Sequence, residues 1–139
     1  MSEKTKITIC GNEYTLAEVR EWKVVDGWQI GPRGERVWIG RDVVIGRNVY
    51  IGRNAMIGSN VRIGRGAMLD NNVIISRDVH ICSDVWIGSG VVIGRGAMIH
   101  SDVRIGSNVY IGRNATIGHG ATVTKDVHAK NTGVKEVEK

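Results

Sequence analysis

Three arginines, Arg77, Arg95 and Arg113, recur at intervals of eighteen residues; Cys82 and His100 keep the same interval, and His119 lies one place past their next step. Guanidinium groups held in line can each grip two phosphate oxygens with a planar fork, which the point charge of a lysine cannot do. An imidazole titrates near neutrality, so His100 or His119 could take a proton from a hydroxyl or amine. His80 stands just before Cys82, and Ser83, Asp84, Ser101 and Asp102 are close in sequence. Zinc would need three or four N, S or O ligands converging tetrahedrally. Side chains fanning out from one edge converge only if a second chain contributes, so no metal is predicted. Plainer readings compete: a solvated basic edge that resists aggregation, and an outward corner that accepts any polar residue.

What positions these residues is a repeat. Fifteen six-residue units run over 37–126 without insertion, deletion or proline, on the plan V/A-x-I-G-x-N/D/G. A unit this short cannot bury its own apolar residues and must stack on its neighbours. Val-x-Ile supplies a very short strand, with Val or Ala and Ile inward and the middle residue outward. Interior positions run from Ile39, Ile45 and Ile51 to Ile117 and Val123, with Leu69 the other departure from Ile. The fourth residue is mostly Gly and the sixth is always Asn, Asp or Gly. Both are read as backbone-angle requirements, because these residues tolerate positive φ at a recurring corner.

Residues 1–36 form a cap, 37–126 the repeat array and 127–139 a polar tail. In the cap, Lys6 to Cys10 alternates like a strand, Gly11-Asn12 signals a turn, and Thr15-Leu16-Ala17-Glu18 is a capping box starting a short helix through Trp22. Trp22, Trp28 and the helix are expected to cover the first coil, whose open end would expose unpaired backbone. The chain has 139 residues, enough for one domain and too few for a catalytic domain beside the array. Net charge is +5, which favours anionic partners. Two cysteines make a poor disulfide framework and no signal segment opens the chain, so a reduced, cytoplasmic protein is expected. No apolar stretch approaches the roughly 18 residues that span a bilayer.

The repeat plan resembles the hexapeptide-repeat superfamily over about two-thirds of the chain. The resemblance implies an all-β fold, a left-handed parallel β-helix of about five triangular coils, usually assembled as a homotrimer. Handedness is taken from the family, since parallel crossovers are otherwise right-handed. With three units per coil, residues eighteen apart stack and the outward residues sort into columns. The first face shows Trp38, Met56, Ile74, Val92 and Tyr110, an apolar column assigned to the subunit interface. The second shows Val44, Arg62, His80, Met98 and Thr116, and the third Tyr50, Met68, Trp86, Arg104 and Thr122. Arg41, Ser59, Arg77, Arg95 and Arg113 line the edge after the first face, where Asp42 and Asp78 could relieve like-charge repulsion. The edge after the second face is where Gly gives way to Cys82 and His100.

The resemblance also implies a common activity, acyl transfer from acyl-coenzyme A with a histidine base, and the stretch from Ile117 to Val127 looks like the closing coil of small-molecule acetyltransferases of this family. Their extruded acceptor loop and C-terminal helix have no counterpart here. In the family's carbonic-anhydrase branch histidines of two chains hold zinc, but the spacings of His80, His100, His119 and His128 differ from its pattern. Without a loop to exclude water and fix an acceptor, the primary expectation is a non-catalytic homotrimer with no cofactor. It would bind an anionic, phosphate-bearing small molecule, a nucleotide or cyclic-nucleotide messenger, in sponge-like sequestration. The expected ligand residues are Arg62, Arg77, Arg95, Arg104, Arg113, His80, His100, His119, Trp86 and Tyr110. Long nucleic acid is disfavoured, because the basic residues line an edge beside an apolar column and not a continuous groove. The alternative is an acetyltransferase using acetyl-coenzyme A, with His100 or His119 as general base. A third reading, a structural or designed scaffold, follows from the near-copy of residues 48–55 at 108–115.

Overall fold

The computed structural model describes residues 5–127 and the backbone of the strand Val134–Val137. The expected tail 127–139, His128 included, lies outside the described residues apart from Val127 and that strand.

The array is a parallel β-helix. Trp38 pairs with Met56, Met56 with Ile74, Ile74 with Val92 and Val92 with Tyr110. The second face runs Val44, Arg62, His80, Met98, Thr116, and the third Tyr50, Met68, Trp86, Arg104, Thr122. Eighteen residues therefore complete each circuit. The first and third residues of all fifteen units are at most 4% exposed, forming one continuous core. Each buried Val or Ile contributes about 1.5–3 kcal/mol, whereas an exposed ion pair contributes under about 1 kcal/mol. The interior, not the charged edges, holds the coils together.

The two special corner positions serve different ends. Asp and Asn at the sixth place, from Asp42 to Asn114, hold φ between 58° and 63°. That is the left-handed region their short polar side chains tolerate. The fourth-place glycines of the array are not in that region, which corrects the backbone-angle reading. They are there for close approach: a Cβ on Gly58 would sit 2.8 Å from the Arg77 nitrogen, and one on Gly94 2.7 Å from the Arg113 nitrogen. The corner of the next coil occupies the space a side chain would need.

The cap closes the N-terminal end. Strand Lys6–Ile9 extends the third face by pairing in parallel with Val49–Ile51 and folds back on Asn12–Thr15 through Cys10 and Gly11, both at positive φ. The capping box forms: the Glu18 N–H donates to Thr15 Oγ1 at 3.1 Å and the Thr15 N–H to Glu18 Oε1 at 2.7 Å. The helix spans Leu16–Arg20, two residues short of Trp22, and buries Leu16 and Val19 over the first coil. A second hairpin, Lys23–Val25 with Trp28–Ile30, turns at Asp26-Gly27 and extends the first face through Arg36–Ile39. Trp22 packs on the core and edge-on against Tyr14. Trp28 does not cover the coil as expected; it lies outside, 4.8 Å beneath the Arg36 guanidinium.

Candidate functional site

The second edge, between the second and third faces, breaks the corner rule in two successive coils. At the glycine corners from Gly40 to Gly112 the N–H reaches the next coil's carbonyl at 2.6–2.9 Å; at Cys82 this bond is 2.9 Å and at His100 3.0 Å. The stacking bond is thus kept at both positions, and Cys82 and His100 depart from the glycine plan without breaking the coil. Cys82 and His100 are half-buried, while His80 and His119 are exposed.

One coil above Asp102, the next corner places His119 Nε2 3.7 Å from Asp102 Oδ2, with both side chains largely exposed. The separation is longer than a hydrogen bond and within ion-pair range. The relation follows from the circuit length, because the sixth residue of one unit lies beside the fifth residue of the unit stacked on it. Asp102 was seen in the sequence only as a neighbour, and counting seventeen residues to His119 finds it. Among the described residues no group of three or more His, Cys, Asp or Glu side chains gathers around a common point for a metal.

On the first edge, Asp78 stands between two arginines, with its Oδ2 3.9 Å from Arg77 Nε and 3.8 Å from Arg95 Nε. The carboxylate is within ion-pair range of two of the three arginines, where it can relieve their like-charge repulsion, and Arg113 continues the line one coil further. On the third face the Arg104 guanidinium lies 5.1 Å over the Trp86 ring. This pair forms a ridge with a shallow groove on either side, one lined by Met68 and Asp84, the other by Asp70, Ser107, Thr122 and Thr124. Arg62 and His80 are stacked neighbours on the second face, and Tyr110 ends the apolar column of the first. The structure thus joins the expected residues in pairs but does not gather them into one pocket. The arginine edge and the histidine edge sit at opposite ends of the second face.

The strongest electrostatic feature lies elsewhere, in the cap. Glu35 is 2% exposed and accepts hydrogen bonds from the Tyr14 hydroxyl, the Asn12 amide at 3.0 Å and the Arg33 N–H at 2.9 Å. Burial opposes its ionisation, but these donors outweigh burial and hold the carboxyl below the ordinary Glu range. Burial, together with the bond to Glu35, pushes the Tyr14 hydroxyl up. No sequence signal singled out Glu35. Its burial and its ring of donors close it to a substrate, so its role is to tie the hairpin Asn12–Thr15 to the turn before Arg36.

Residues 34–65 and 90–125 match the family described as bacterial transferase hexapeptide (six repeats). No curated protein matches the sequence. Among solved structures, a histidine-to-asparagine variant of perosamine N-acetyltransferase from Caulobacter crescentus, in complex with CoA and GDP-perosamine, is similar with a TM-score of 0.70 at 23% identity. The match covers 80% of this chain and 51% of that one. A Bacillus cereus protein described as a candidate acetyltransferase has a TM-score of 0.56 at 18% identity over 75% of this chain and 76% of its own. The acetyltransferase domain of PglB from Neisseria gonorrhoeae has a TM-score of 0.52 at 19% identity, over 75% and 52%. The chain spans about half the length of the first and last of these. At such identities the likeness shows the fold. It also corrects the expectation of a non-catalytic binder that sequesters an anionic messenger: these three similar structures are described as acetyltransferases, and one of them holds CoA and a sugar nucleotide.

Proposed function

The chain belongs to the hexapeptide-repeat superfamily of left-handed parallel β-helices, and from that premise we propose that it is an acyltransferase that uses an acyl-coenzyme A and works from the second edge. The observation that carries this reading is the pairing of His119 with Asp102 on the edge that also carries His100. Asp102 stands within ion-pair range of His119 Nε2, so a histidine able to accept a proton has a carboxylate beside it on an edge open to substrate.

In this reading His119 takes the proton from an acceptor amine or hydroxyl as the acceptor's nitrogen or oxygen attacks the thioester carbonyl. The new C–N or C–O bond forms, the C–S bond breaks, and the proton passes to the departing thiolate. Asp102 is a positioning residue, and His100, one coil below, is the alternative base. The phosphates of the coenzyme are matched by the line of Arg77, Arg95 and Arg113, whose forked donors suit phosphate oxygens. The array has no insertion to hold an acceptor, so acceptor positioning falls to the faces, to the edges or to another chain. Amino-sugar nucleotides are the acceptor class to try first, because a structure of this shape binds one.

Thiol release from acetyl-coenzyme A, followed with an amino-sugar acceptor panel, tests the reading. His119→Asn is expected to slow turnover by about a hundredfold or more, the usual contribution of a positioned base. Turnover no greater than in the double variant His100→Ala/His119→Ala across the whole panel would overturn it.

A further inference from the structure

A cleft of about 510 Å³ opens where the cap meets the first coil, at the N-terminal end of the first edge. That is within the size range of small-molecule sites. It is lined by Arg20 from the helix, Gln29 from the second hairpin, and Trp38, Ile39, Arg41 and Asp42 from the coil. His100 belongs to the fourth coil, so about 14 Å along the axis separates it from this first-coil cleft. Ser59 stands between Arg41 and the arginine line that starts at Arg77. The cleft therefore shares no side chain with the edge proposed for acyl transfer.

No coil precedes the first, so Ile39 would be left with an unpaired backbone N–H and C=O. Two side chains of the cap take them: Gln29 Oε1 accepts from the Ile39 N–H at 3.0 Å, and Arg20 Nη1 donates to the Ile39 carbonyl at 3.1 Å. These bonds account for the Gln29 oxygen and not for its nitrogen. The N–H that it accepts from identifies the oxygen, and no group among the described residues accepts from the amide nitrogen. Gln29 is 5% exposed, and among the described residues no buried side-chain nitrogen or oxygen lacks a partner. The nitrogen therefore opens onto the cleft that Gln29 lines. Pairing with Ile39 needs only an oxygen. Two amide hydrogens held in a nearly buried place without an acceptor are a cost, unless something in the cleft receives them.

What receives them must also suit the charges. Arg20 and Arg41 bring two positive charges and Asp42 one negative, which leaves one net positive charge on the lining. Arg77 and Arg95 share Asp78, whereas among the described residues Arg41 makes no ion pair. A carboxylate carries one negative charge and two coplanar oxygens, which match a guanidinium fork and an amide N–H. A phosphate monoester carries about −1.5 to −2 at neutral pH, and its surplus charge would meet Asp42. Beside the donors lies the half-buried Trp38, whose flat ring suits an apolar body. We propose that this cleft is a second binding site of the protein, for a small monocarboxylate. Gln29 and Arg41 hold its oxygens, Arg20 adds charge, and Trp38 packs against its apolar body. The site stands without the acyl-transfer reading.

Benzoate is the probe, with benzamide as its uncharged analogue and phenyl phosphate as the more highly charged one. Titrated into the isotope-labelled full chain at neutral pH and followed by NMR, benzoate is expected to give saturable shifts at the Gln29 side-chain amide, the Trp38 indole N–H and the Arg41 Nε–H. Benzamide is expected to give none, and phenyl phosphate to bind more weakly than benzoate. Arg41→Gln, at an exposed corner, should weaken benzoate binding about tenfold, the effect of one lost charge-assisted hydrogen bond. Gln29→Glu keeps an oxygen for the Ile39 N–H and replaces the donor with an acceptor, so it should abolish benzoate binding while the dispersion of the backbone spectrum is kept. Should Gln29→Glu unfold the cap, Arg41→Gln alone decides. No saturable shift in the parent up to the solubility of benzoate, benzamide bound as well as benzoate, phenyl phosphate bound more tightly, or Arg41→Gln binding benzoate like the parent would each overturn the proposal.

Discussion

The cap and the second edge both gather polar side chains, and they hold them in opposite ways. In the cap, the Glu35 carboxylate is enclosed and receives three donors, two of them from the hairpin Asn12–Thr15 that it anchors. On the edge, His119 and Asp102 stand in water at ion-pair distance with room around both. A buried group ringed by donors fixes the fold, since losing it strands its partners. An exposed group at a corner adds little to the fold and remains available to a substrate.

The largest effect expected from breaking this contrast is on rate. The slowing predicted for His119→Asn should come with an unchanged melting temperature, because an exposed pair contributes little to stability. Next is the cap: Glu35→Ala leaves the Tyr14 hydroxyl, the Asn12 amide and the Arg33 N–H without their acceptor and should cost about 3 kcal/mol in denaturant unfolding. Because the folded carboxyl titrates below the ordinary Glu value of 4.5, its contribution is complete above that pH and is lost as pH falls through the lowered value. Urea midpoints should therefore decline on acidification below about 4.5 in the parent and decline less steeply in Glu35→Gln. Equal slopes would show that Glu35 is not the group responsible. A smaller cost, about 1–3 kcal/mol, is expected for Gly94→Ala, whose Cβ would press on the Arg113 nitrogen at 2.7 Å. Asp78→Asn should shift the thermal midpoint least, by less than about 0.5 kcal/mol equivalent, because its arginine partners are solvent-exposed.

The register of every coil was legible in the sequence, because the interval between Asn48 and Asn108 or between Arg77 and Arg95 is a whole number of units and nothing interrupts it. The reason for Gly58 and Gly94 was not, since close approach between coils depends on the packed neighbour and leaves no local trace. The second cap hairpin did leave one: Asp26-Gly27 between Val24-Val25 and Trp28 is a strong hairpin signal, and both turn residues adopt positive φ. Glu35 could not be found this way, because burial of a charged residue is decided by the hairpin folding over it. Of the candidate site, the arginine line and the Cys82/His100 column followed from spacing. The pairing of His119 with Asp102 needed the circuit length as well. Among the described residues no helix is long and apolar enough to cross a membrane, in line with the hydropathy of the sequence.

The central claim, that enclosure marks the structural carboxylate and exposure the chemical pair, is tested most directly by measuring acetyl-coenzyme A turnover and melting temperature together in Glu35→Gln and His119→Asn. The account predicts a crossed result: the first variant melts lower and keeps its rate, the second keeps its melting temperature and loses its rate. Rate and stability falling together in both, or a second variant as active as the parent, would contradict it.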